Sequence, residues 1–145
     1  PETFLLNTPA SPHAAARLDH VEINLENFII PQTKNDLIIE GAGGCLVPLN
    51  EKDFVIDLAK KFEAEIILVS NLYLGSINHT LLSAVYLKSR YYRVKGIVFN
   101  GNSNPESENI ILKHTQLPCL LRMGHEQQIT KEVVAKHARE IKKNW

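Results

Sequence analysis

The chain has 145 residues, 44% of them hydrophobic, a size and composition typical of one globular domain with a real core. Its 16 basic residues balance its 16 acidic residues, so net charge offers no argument for binding to nucleic acid or an anionic membrane. The apolar runs are too short to span a bilayer, and the two cysteines lack the spacing of a metal site or a disulfide framework. We therefore expect a cytoplasmic protein with reduced thiols and with neither nucleic-acid nor membrane partners.

The first part of the chain predicts two short helices. Ser11-Pro12 is typical of a helix start, because serine can cap a helix and proline suits its first position. The alanines that follow favour helix. A second helix is expected from Asn24 to Ile30, with Asn24 as its cap and Pro31 ending it.

A short apolar run, Leu37-Ile38-Ile39, predicts a strand buried on both faces of a parallel sheet. It is followed by Glu40 and then by three glycines within four residues. An isolated acid followed by bare backbone, at the carboxyl end of a buried strand, is where open α/β sheets place ligands. The alternative is a tight turn with a solvated glutamate, and these residues alone favour neither interpretation.

The rest of the chain alternates predicted helices and strands. Helices are expected over Asp53–Phe62, Gly75–Tyr86, Pro105–His114 and Thr130–Lys142, and strands over Ile66–Val69, Val94–Phe99 and Cys119–Leu121. In two of the helices the predicted inward-facing residues are Leu81, Leu82 and Val85, and Val133, Val134 and Ala138. This alternation predicts an α/β fold, an open, mostly parallel sheet flanked by helices, as a single domain over residues 1–145.

Polar or glycine-rich segments follow four of the predicted strands. These segments are Glu40–Gly44, Ser70–Asn71, Asn100–Gly101 and Arg122–His125. Since the carboxyl ends of parallel strands lie at one edge of the sheet, we expect the four segments to converge on one ligand-binding cleft.

Three motifs add a family resemblance. They are Glu40-Gly41-Ala42-Gly43-Gly44 with Val47-Pro48-Leu49 after it, the segment from Ala10 to Arg17, and Leu74-Gly75-Ser76-Ile77-Asn78-His79-Thr80-Leu81-Leu82. In this order they resemble motifs of the dethiobiotin synthetases, a family of P-loop NTPases. The resemblance covers nearly the whole chain and fades after about Leu121.

The resemblance implies an ATP- and Mg²⁺-dependent ligase of biotin biosynthesis. In that family carbon dioxide (from bicarbonate) adds to one amine of 7,8-diaminopelargonic acid, ATP phosphorylates the carbamate, and the second amine closes the ring. The resemblance also implies a homodimer, with the substrate carboxylate held across its interface.

The same resemblance assigns residues to ligands. It makes Glu40 the metal ligand. It implies nucleotide contacts for Glu40, Gly41, Ala42, Gly43, Asn100, Gly101, Met123, Gly124 and His125, the last three in a loop beside the adenine. It implies substrate contacts for Gly44, Gly75, Ser76, Ile77, Asn78 and His79.

Several of these residues have simpler interpretations. Asn78 could cap its helix, His79 could pack, and Asn100 could be the turn residue of an Asn-Gly pair. Cys45 is interpreted as a packing residue, because no base partner for a nucleophile is apparent. Gly124 departs from the isoleucine-proline pattern that the family has in the adenine loop.

The sequence contains no phosphate-binding motif Gly-x-x-x-x-Gly-Lys-[Ser/Thr]. We expect that segment, with the catalytic lysines and an aspartate metal ligand, to precede Pro1, so that this chain holds no catalytic residue and is insufficient alone for turnover. Two other functions stay open: another P-loop amide-forming ligase, similar to the cobyrinic acid amidases, and a non-catalytic interaction or dimerisation module. The Ile77-Asn78-His79-Thr80 helix entry argues against the first.

Overall fold

The computed structural model describes residues 3–145, in two compact units, residues 3–64 and Glu65–Trp145. The first unit contains helix α1 (Pro12–Leu18), a single 3₁₀ turn (Leu25–Asn27) and helix α2 (Asp57–Lys61). Its small core consists of Ala16, Ile23 and Leu49, with partly buried aromatic and aliphatic side chains packed around them. No helix of the described residues is long and apolar enough to cross a membrane.

The predicted helix start at Ser11-Pro12 is confirmed, with Pro12 in the first turn. The other two helices of this unit are shorter than predicted. The expected helix from Asn24 to Ile30 is only the 3₁₀ turn, and Asn24 makes no side-chain cap. Helix α2 begins late because Phe54 pairs in an isolated antiparallel bridge with Pro48.

The predicted buried strand Leu37–Ile39 is wrong. These residues form no strand, and Ile38 is 93% exposed. With Glu40 they line an open apolar hollow of about 370 Å³ on the first unit. A strand needs neighbours to complete its backbone hydrogen bonds, and the described part of this unit has no strand for Leu37–Ile39 to pair with.

The second unit alternates strands and helices: β1 (Ile66–Asn71), α3 (Ser76–Ser89), β2 (Val94–Asn100), α4 (Pro105–Thr115), β3 (Cys119–Met123) and α5 (Lys131–Ile141). The three strands form a parallel sheet in the order β1-β2-β3, so the predicted parallel α/β architecture is confirmed, with one strand fewer than expected in the described residues. Ile97, Phe99 and Ile111 form a core between β2 and α4 and are at most 1% exposed.

The inward faces of two helices differ from the prediction. In α3 the buried residues are Ser76, Thr80, Ala84 and Leu87, whereas Leu82 and Val85 are exposed. The small side chains of this face allow the helix to lie close to the sheet. Thr80 hydrogen-bonds Ser70 of β1, with 2.7 Å between their hydroxyl oxygens.

In α5 the buried residue is His137, and Val134 and Ala138 are exposed. The Nε2 atom of His137 lies 2.9 Å from Glu126 Oε1, and its Nδ1 atom lies 3.3 Å from Glu140 Oε2. Two carboxylates thus provide hydrogen-bond partners for a buried polar ring. The spacing of apolar residues, on which the prediction for α5 was based, does not indicate such a contact.

Gly96, in the middle strand, offers a test of this packing. A Cβ atom at this position would lie 2.7 Å from both Leu120 Cγ and Pro118 O. We expect Gly96→Ala to lower the free energy of unfolding by about 1–3 kcal/mol, measured by urea denaturation. Gly124→Ala is the control, because nothing lies within 4 Å of its Cβ position. Equal stability of the two variants would contradict the close packing of β2 on β3.

Candidate functional site

Polar groups meet where the three parallel strands of the second unit end. The strand register places Asn71 beside Asn100, and Asn100 beside Met123. The Asn100 side-chain amide donates to Asn71 Oδ1 at 3.2 Å, and the Gly101 amide donates to the Met123 carbonyl at 2.8 Å. The predicted convergence of strand ends is thus confirmed for the three segments that follow β1, β2 and β3.

Gly101 is buried beside Asn100, whereas Gly124 and His125 lie exposed just beyond β3. Gly124 has open space around its Cα. The loop that the resemblance assigns to the adenine therefore leaves the same sheet edge at which Asn100 ends its strand.

The segment Gly75–His79 forms the amino-terminal turn of α3, as predicted. Gly75 occupies the N-cap position with φ of 104°, a left-handed conformation that favours glycine. The Ser76 amide donates to the Tyr73 carbonyl and the His79 amide to the Gly75 carbonyl. Within the described chain, the amides of Ile77 and Asn78 find no backbone acceptor, as is usual in a first helical turn. These two N–H groups and the helix dipole favour an anion here.

Side chains also gather at this turn. The Tyr73 hydroxyl hydrogen-bonds His79 Nδ1, and the two ring centroids lie 5.8 Å apart. Asn78 makes no side-chain cap to the helix, whose N-cap is Gly75. His79 is exposed, and its ring contacts that of Tyr73.

Glu40 and the glycines after it lie in the first unit. Glu40 is exposed, and its carboxylate makes no hydrogen bond or ion pair with any of residues 3–145. The predicted strand before it is absent, so nothing in the described chain holds this carboxylate in one place. Ala42 and Gly44 are exposed, and Cys45 is a half-buried free thiol.

Gly43 shapes the loop after Glu40. Its φ is 75°, and a Cβ atom here would lie only 3.0 Å from Val47 Cγ2. Both facts require glycine at this position. The Val47 amide donates to the Gly44 carbonyl at 3.2 Å, which closes the turn.

One carboxylate near the strand ends was not predicted. Glu108, in the first turn of α4, is only 3% exposed. Its Oε1 atom accepts from Ser103 Oγ at 3.1 Å and from the Asn104 amide at 3.0 Å, and its Oε2 atom accepts from Arg122 Nε at 2.6 Å. The sequence signal was an acid shortly after the helix start Asn104-Pro105, where a side chain can reach back to the N-cap amide.

Charge and hydrogen bonding determine the protonation of Glu108. Burial favours its neutral form, but the bonds from Arg122, Asn104 and Ser103 outweigh burial and hold the pKa of Glu108 below its usual 4.5. The same contact raises the pKa of Arg122 above its usual value.

Comparison with known proteins identifies the family. A family model described as an AAA domain matches residues 1–133. The ATP-dependent dethiobiotin synthetase of Cytophaga hutchinsonii is 61% identical over 146 residues, which cover 100% of this chain and 71% of that protein. The chain belongs to the dethiobiotin synthetase family.

Two other dethiobiotin synthetases extend the match. That of Christiangramia forsetii is 46% identical over 95% of this chain and 66% of its own length. That of Rhodopseudomonas palustris strain HaA2 is 40% identical over 92% of this chain and 63% of its own length. The chain thus spans about two thirds of the length of the dethiobiotin synthetases that it matches, and the expected family resemblance is confirmed.

The Glu108 contacts predict how stability depends on pH. Because the folded pKa of Glu108 lies below 4.5, its ionised form stabilises the fold above that value, and this contribution is lost as pH falls through the folded pKa. We expect the free energy of unfolding to fall as pH is lowered from 6 towards 3, measured by urea denaturation at each pH. Glu108→Gln should flatten the profile in this range. An unchanged slope in that variant would contradict the assignment.

Proposed function

We propose that the protein containing this chain is an ATP-dependent dethiobiotin synthetase acting on 7,8-diaminopelargonic acid. Sequence identity of 61% to a dethiobiotin synthetase along the whole chain is the observation that carries the proposal. The free α3 amides and the Asn100 edge provide groups of the kind that this reaction needs.

In the proposed reaction an amine nitrogen of the substrate attacks carbon dioxide and loses a proton, giving a carbamate. A carbamate oxygen attacks the γ-phosphorus of ATP and ADP leaves. The second amine then attacks the carbonyl carbon, and phosphate leaves as the ring closes. The protein's main task is to hold the reactants in line and to stabilise negative charge.

The first turn of α3 would bind the carboxylate of the diamine. The amides of Ile77 and Asn78 point out of the helix end, and a carboxylate accepting from them also gains from the helix dipole. Ser76 is buried, so it would act through its backbone, while the exposed His79 would border the bound carboxylate.

Asn100 would bind the adenine ring. Its side chain carries both a donor and an acceptor, which match the edge of adenine, and it lies at the end of the central strand. Gly101, Met123, Gly124 and His125 would surround the base. Their backbones lie at the same edge of the sheet.

Glu40 would hold Mg²⁺, with Gly41, Ala42 and Gly43 along the phosphates and Gly44 towards the substrate amines. The residues present fit the ion, because Glu40 offers an exposed carboxylate not engaged by any of residues 3–145. Magnesium commonly takes one or two protein carboxylates and shares its other positions with water and phosphate. When bound, it would neutralise phosphate charge. No group of three His, Cys, Asp or Glu side chains in residues 3–145 could form a metal cage by itself.

The proposal includes a homodimer in the cytoplasm, where ATP is available. The outer side of α3 supports association of two copies, since Leu82 and Val85 are exposed there and Tyr73 and Leu74 are exposed just before the helix. A dimer through this face would bring a second chain to the α3 amino terminus.

The function is tested by incubating the complete protein with ATP, Mg²⁺, bicarbonate and 7,8-diaminopelargonic acid. We expect one dethiobiotin and one ADP per phosphate released, measured by mass spectrometry and a coupled phosphate assay. In a parallel incubation cobyrinic acid replaces the diamine, and phosphate release only in that incubation would support an amidase. Binding of the diamine without ATP consumption would support a non-catalytic module.

We expect Glu40→Gln to reduce dethiobiotin formation about 100-fold and to raise the Mg²⁺ concentration needed for half-maximal rate, because a neutral amide binds Mg²⁺ poorly. Glu51→Gln is the matched control, since Glu51 is an exposed glutamate of the same unit. If both variants stay within twofold of the wild-type rate, Glu40 does not hold the metal.

We expect Asn100→Ala to raise KM for ATP about tenfold and to weaken the preference for ATP over GTP, because two hydrogen bonds to the base are lost. The neighbouring Asn102→Ala should leave both quantities within twofold, since Asn102 is an exposed loop residue. An unchanged nucleotide preference in the Asn100 variant would remove this residue from the adenine site.

A further inference from the structure

Glu108 connects the two loops that leave the nucleotide edge of the sheet. Through Oε1 it holds the loop after β2, accepting from Ser103 Oγ and the Asn104 amide at 3.1 and 3.0 Å. Through Oε2 it holds the end of β3, accepting from Arg122 Nε at 2.6 Å. A single carboxylate thus joins the loop after β2 to Arg122, which follows Glu108 by 14 residues in the sequence.

The two bridged segments are the ones that carry the proposed adenine contacts. Ser103 follows Asn100 and Gly101 by two or three residues, and Arg122 directly precedes Met123. The Gly101 amide also donates to the Met123 carbonyl, so the same two segments are joined at the backbone. A shift of either loop would move base-contacting groups relative to one another.

The surroundings make this bridge rigid. Glu108 is buried and lies in the first turn of α4, where the helix dipole favours a negative charge. The Arg122 guanidinium carbon lies 5.8 Å from the centre of the buried Phe99 ring, which confines the cation against the sheet. The Glu108 side chain is only 4% exposed, whereas that of Arg122 is 52% exposed. Removal of Arg122 would therefore leave a buried carboxylate without its cation, which is costly.

We propose that Glu108 is a positioning residue for nucleotide binding, which keeps the loop after β2 and the loop after β3 at the separation that the adenine requires. The proposal rests on the proposed function, because it takes the base to lie at this edge. Glu108 itself need not touch the nucleotide. A carboxylate that only caps α4 would affect stability without distinguishing one ligand from another.

The test compares Glu108→Gln with Glu106→Gln in the complete protein. Glu106 belongs to the same helical turn but is exposed, so its variant removes the same charge from the same helix end without breaking the bridge. Dissociation constants for ATP and ADP are measured by calorimetry, and KM values for ATP and the diamine by dethiobiotin formation.

We expect Glu108→Gln to weaken ATP and ADP binding about tenfold, because displaced loops misalign the base contacts, and to leave KM for the diamine within twofold. Glu106→Gln should leave all four quantities within twofold. If Glu108→Gln does not fold, Ser103→Ala replaces it in the test, because it removes one of the three hydrogen-bond donors to Glu108. We then expect ATP and ADP binding to weaken about threefold and KM for the diamine to stay within twofold.

Two results would overturn the proposal. One is that the Glu108 variant binds ATP and ADP with dissociation constants within twofold of those of the Glu106 variant. The other is an equal loss of ATP and diamine affinity, which a general loosening of the fold would produce. Failure of the proposed function is seen separately, as absence of dethiobiotin in the wild-type protein.

Discussion

Parallel pairing of β2 with a neighbour on each side is the constraint on which the second unit depends. Because all three strands run in the same direction, Asn71, Asn100 and Met123 end side by side. The helices between them must return to the opposite edge, so each new strand again delivers its last residue to the same place. Polar residues far apart in sequence thereby become neighbours at one edge of the sheet.

The elements that were predictable from sequence are those whose signals are local. The β-branched runs of β1 and β2, the Asn104-Pro105 start of α4 and the Gly75 start of α3 each lie within one short window. The run Leu37–Ile39 has the same local signal and yet forms no strand, because a strand also requires a partner and its unit has none in the described residues. Local pattern predicts the tendency to form a strand, whereas pairing decides the outcome.

Side-chain orientation was less predictable than the elements. In α3 a stripe of small and polar residues faces the sheet, with Thr80 satisfied by Ser70, and the larger apolar side chains face outward. In α5 a histidine is buried with a glutamate carboxylate beside each of its two ring nitrogens. Both arrangements depend on a partner ten or eleven residues away in the sequence, and the periodicity of apolar residues carries no information about such contacts.

The candidate site shows the same division. Asn100 and the α3 turn could be located from motif and strand order. The Glu108 bridge could not, because Glu108 lies in helix α4 and its partner Arg122 lies in strand β3. The proposed reaction requires a group that holds a cation, a group that binds the nucleotide base and a helix end that binds an anion. The chain supplies a candidate residue for each of these tasks. Glu40 is the candidate for holding the cation that would neutralise phosphate charge.

The most direct measurement is a crystal structure of the complete protein with Mg²⁺, a non-hydrolysable ATP analogue and 7,8-diaminopelargonic acid. The account predicts a Glu40 oxygen bound directly to the metal at about 2.1 Å, beside the nucleotide phosphates. A Glu40 carboxylate directed into solvent, with the metal held elsewhere, would contradict it.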